Sequence, residues 1–138
     1  MSRIKVELNK VECLDGQGAM EGNLEVRMKI TEGGHSVTWP SATDTVKIDN
    51  GGTPTAGIAW VIGTYNVDSG TVSKSFDLAV TEEDSGTLGA DDYGSGTVSF
   101  DLTSSMAPIY KSATMDLYRD HMKKTDGKLK VTLKAYAV

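Results

Sequence analysis

Strict two-residue alternation of apolar and polar side chains constrains this chain more than anything else in it. In "NLEVRMKIT", Leu24, Val26, Met28 and Ile30 fall on one side, and Glu25, Arg27 and Lys29 on the other. "RIKVEL" opens the chain in the same way with Ile4, Val6 and Leu8, and "KLKVTLKA" continues it near the end with Leu129, Val131, Leu133 and Ala135. "SFDLAV" and "TVSFDL" add Phe76, Leu78 and Val80, then Val98, Phe100 and Leu102. This period belongs to strands that bury one face and wet the other, which is the habit of antiparallel sheets. "HSVTW", "DTVKI" and "TAGIAWVIGTYNV" are shorter or less regular candidates. The expectation is an all-β fold: an antiparallel β-sandwich of about eight strands in a single domain over residues 1–138, a length one core can serve.

Turn chemistry supports this. "DNGG" (49–52), "DSG" (68–70) and "DG" (126–127) supply residues that tolerate tight hairpins. The alternation lapses over 103–125, where Met115, Tyr118 and Met122 recur at three and four residues and Ser112 can cap a helix start. One short helix before the last strand is expected there.

Several functions find no support. The net charge is −5, so the basic stripe that nucleic-acid binding requires is missing. Half of the fourteen basic residues do fall late (Lys111, Arg119, Lys123, Lys124, Lys128, Lys130 and Lys134), but interleaved with acids and apolar residues, as on a solvated face. The single cysteine, Cys13, forbids an internal disulfide and reads as a small buried hydrophobe in phase with Val11. No nucleophile elbow or Ser-x-x-Lys occurs, and His35 and His121 are far apart, so no enzyme is expected. "GQGAMEG" lacks the Lys-Ser/Thr ending of a phosphate loop, and Glu21 would repel phosphate. Trp39, Trp60 and five tyrosines offer some stacking surface for a sugar without marking a platform. Neither a leader peptide nor a span of membrane length is visible, which fits a cytoplasmic or virion-borne chain.

One stretch does invite chemistry. "TEEDSGTLGADDYGSG" (81–96) holds Glu82, Glu83, Asp84, Asp91 and Asp92, and no Lys or Arg occurs between Lys74 and Lys111. Like charges at this density repel unless a cation screens them. Calcium takes six to eight oxygen ligands, so a glycine-bent acidic loop suits it. An EF-hand begun at Asp84 fails, because Gly86 and Leu88 stand where oxygen ligands belong.

The pattern "LAVTEEDSGTLGADDYGSGTVSFDL" resembles the segment of C2-type domains in which a strand ends in an acidic loop and resumes after an Asp-Asp pair. "VECLDGQGAMEGNLEVRMKI" resembles their first calcium loop, and "DGKLKVTLKAYAV" their last strand. The resemblance implies an eight-stranded C2-like sandwich acting as a Ca2+-dependent, non-catalytic interaction module. Its metal ligands would be Asp15, Glu21, Asp84, Asp91 and Asp92. Leu24 stands where the family's acidic pair begins, so Glu21 or Asn23 would have to complete the first loop. With both loops at one end, Met20 and Leu88 would lie near the tips, apolar contacts for a membrane surface or a protein partner. The competing reading is a structural subunit that packs into a homo-oligomer through Ile58, Trp60 and Ile62.

Overall fold

A computed structural model of the chain describes residues 2–15, 23–49, 55–83, 92–119 and 125–138. Nine strands appear in the order β1 (Ser2–Asp15), β2 (Asn23–Glu32), β3 (His35–Trp39), β4 (Val46–Asp49), β5 (Thr55–Val67), β6 (Thr71–Glu82), β7 (Asp92–Thr103), β8 (Ile109–Arg119) and β9 (Thr125–Ala137). Eight coincide with the alternating stretches. The ninth, β8, occupies the segment expected to be helical, and no helix occurs among the described residues. In β8 the apolar period is two, not three and four: Met115 and Leu117 are buried, Ala113 packs against the core, and Thr114 and Tyr118 are exposed. Its β-branched and aromatic residues also favour a strand.

Hydrogen bonding runs through the order β3-β2-β6-β7-β8-β9-β1-β5, with β4 also paired to β2, and every pairing is antiparallel. The link between β7 and β8 is two residue pairs long, Asp92 with Arg119 and Tyr93 with Tyr118. Beyond it the strands part, and the sheet folds into two layers: β2, β6 and β7 with β3 and β4 end to end on the edge of β2, against β8, β9, β1 and β5. The inward sets of both layers form one apolar core. Phe76 of β6 meets Tyr65 of β5 across it, edge to face with ring centres 6.1 Å apart.

The alternation slips once in β1, from Ile4, Val6 and Leu8 to Val11 and Cys13. A bulge between Leu8 and Lys10 produces the slip, breaking register with both β5 and β9. Cys13 is buried as expected. "DSG" makes the β5–β6 turn, with Gly70 at φ 70°. "DG" does not turn the chain. It lies inside β9, where Leu117 pairs with Gly127 and Tyr118 with Thr125, leaving one residue extra as a bulge. "DNGG" falls almost wholly outside the described residues. The two chain ends lie side by side: Ile4 pairs with Ala137, and the Val138 amide donates to the Arg3 carbonyl at 2.9 Å.

Candidate functional site

Strand direction decides which connections share an end of the sandwich. β1 stops at Asp15 and β2 starts at Asn23; β6 stops at Glu82 and β7 starts at Asp92; β8 stops at Arg119 and β9 starts at Thr125. The registers place all six termini at one end. Both stretches that carry the expected metal ligands therefore leave the same end. Asp15 closes β1 with its backbone opposite Lys128, and Asp92 opens β7. Glu21, Asp84 and Asp91 lie outside the described residues, as do Met20 and Leu88.

Asp92 is 0% exposed, and directly opposite it in register stands Glu82, 1% exposed. Glu82 is the site residue that reading for loops misses. The signal is nonetheless present: Glu82 is in phase with Phe76, Leu78 and Val80, and Asp92 with Val98, Phe100 and Leu102, so both point to the interior side. Two acids facing each other across a strand pair oppose sheet formation, and burial raises the cost of charging either. Their neighbour Glu83 turns outward and takes the Arg27 guanidinium at 2.6 Å, while its amide donates to the Glu25 carbonyl at 2.9 Å. Among the described residues no group of three or more His, Cys, Asp or Glu is gathered for a metal. The described part of the site is a buried pair.

Two expectations change in space. The acidic run is remote from bases along the chain, yet the register sets Arg119 opposite Asp92, and the connection carrying Lys123 and Lys124 leaves β8 directly beyond. Gly94, expected to bend the loop, sits inside β7. A Cβ there would lie 2.8 Å from the Asp116 carbonyl oxygen of β8, so glycine is what lets the strands approach.

The proposed contact strip on β5 is also rearranged. A register shift between Val6 and Glu7 sends Ile62 into the core, at 2% exposure, and leaves Trp60 and Val61 outside, at 38% and 45%. Ile58 is half-buried against the core, and Ala59 holds φ at 53°. Trp39 is core.

These features define an antiparallel β-sandwich with an acidic end. Solved structures similar to it include a C2 domain of plant extended synaptotagmin 1, at 14% identity and TM-score 0.38 over 99% of this chain and 95% of that one. Another is the structure reported as "CC2D1B coordinates ESRCT-III activity during the mitotic reformation of the nuclear envelope", at 13% identity and TM-score 0.41 over 98% and 54%. Drosophila C2-DSL-EGF1 is similar at 8% identity and TM-score 0.43 over 99% and 67%. No protein-family model and no curated protein sequence matches the chain.

Proposed function

We propose that this protein is a non-catalytic binding module that takes Ca2+ at its acidic end and thereby presents that end to a partner protein or a membrane surface. The observation that supports this is the facing pair of buried acids, Glu82 and Asp92, at the root of a connection that adds Asp84 and Asp91. Asp15, at the end of β1, and Glu21, in the connection after it, would complete the ligand set. Carboxylates are hard oxygen donors of the kind calcium prefers, and the set is anionic enough to gain by neutralisation. Bound Ca2+ would cancel the repulsion and draw the two connections together, with Met20 and Leu88 available to an apolar surface.

Melting of the purified chain tests this. Calcium at about 1 mM should raise the midpoint by several degrees over chelator, because a ligand that binds only the folded state stabilises it by mass action. Asp84→Asn combined with Asp91→Asn should remove the response. A melt indifferent to calcium would remove this reading.

A further inference from the structure

Where β7 and β8 part, a surface cleft of about 350 Å3 opens, at the small end of the range for ligand pockets. Tyr93 and Tyr118, partners in register and 47% and 41% exposed, stand at its rim. Ser95 lines it from β7, and Thr114 and Asp116 line it from β8. Gly94 keeps the two strands close enough to form it.

Among the described residues the lining mixes polar side chains with the two rings and Met115, and none of it is basic. Phenol rings carry a negative face and a positive edge, and an exposed pair offers flat surface for weakly polarised C–H groups. The Ser95 and Thr114 hydroxyls both donate and accept, whereas the Asp116 carboxylate only accepts. Lys128 Nζ lies 3.9 Å from Asp116 Oδ1 and adds a donor beside it. Asp116 and Lys128 thus set an acceptor and a donor side by side on the surface. A polyol ring meets both halves: its C–H face covers a tyrosine, and adjacent hydroxyls bridge Asp116 and Lys128. We propose that this cleft binds a neutral saccharide, with Tyr93 and Tyr118 as stacking residues and Asp116, Ser95 and Thr114 as hydroxyl partners. Among the described residues, neither Glu82 nor Asp92 lines it, so binding here is tested apart from calcium.

The test is an array of neutral glycans probed with the full chain in chelator, followed by calorimetric titration with the strongest oligosaccharide. Binding should appear without calcium. Tyr93→Ala and Tyr118→Ala should each weaken it by about tenfold, the scale of one lost aromatic contact together with the area it covers. Asp116→Asn should weaken it as well. Tyr110→Ala, an exposed tyrosine at the far end of β8, should leave it unchanged. Melting midpoints of the variants, measured alongside, separate lost binding from lost fold, since both residues are more than half covered. Silence of the array overturns the proposal. So does equal binding by the Tyr93→Ala/Tyr118→Ala double variant.

Discussion

Gly94 shows how one absent side chain can set the geometry of a whole seam. The Asp116 carbonyl belongs to backbone already paired with β9 and cannot swing aside as a flexible side chain would. Gly94→Ala should therefore cost about 1–3 kcal/mol, the range for overpacking, and denaturant unfolding measures it directly. A substitution without effect would mean that β8 yields. Tyr65 is the residue whose ionisation most informs stability. Burial, with the Glu32 carboxylate adding to it, holds its phenol well above the ordinary value. An unfolded tyrosine loses its proton near pH 10, while the folded one keeps it. The unfolded state then binds fewer protons, so stability present below about pH 10 declines as pH rises beyond it. In Tyr65→Phe this part of the alkaline decline should vanish, and unfolding curves at stepped pH report it. Identical slopes in parent and variant would contradict the assignment. Tyr136 shifts the same way, from desolvation and from donating to Glu7 Oε2 at 3.1 Å.

At the level of elements, the alternating strands can be read because each buries one face, and burial is what period two encodes. β8 escapes such a reading for a physical reason. Met115 and Tyr118 happen to stand three apart, while the in-phase partners Ala113 and Leu117 are a small residue and one hidden among polar neighbours. Only pairing with β9 over nearly its full length reveals the strand. Amide exchange discriminates the two conformations. A strand bonded on one side protects every second amide, whereas a helix protects successive ones. Over 109–117, exchange should alternate, slow toward β9 and fast toward β7. β1, β2, β6 and β9, paired on both sides over most of their length, should exchange slowest. Uniform protection over 109–117 would refute the strand. Partial legibility extends to the acidic end. The density of carboxylates is plain in the sequence, but Glu82 as a member, Arg119 as a neighbour and Gly94 as a spacer all depend on register, which composition does not carry.

For the whole molecule, the decisive fact is polarity of placement. The connections 16–22, 84–91 and 120–124 share one end with the run 50–54, which follows Asp49 opposite Asn23 and precedes Thr55 opposite Val11. Among the described residues the core is carried by the strands, Met106 excepted, a division of labour common where a rigid scaffold carries a binding surface. The outer edge of β5 is managed differently. Its bulge and the turned backbone at Ala59 interrupt a run that would otherwise offer a long flat template for strand addition. The bond between the Val138 amide and the Arg3 carbonyl carries a practical corollary. A fluorophore, surface anchor or fused domain attached at either terminus would hang from the opposite pole, so the molecule could be immobilised with its acidic end left open to solution.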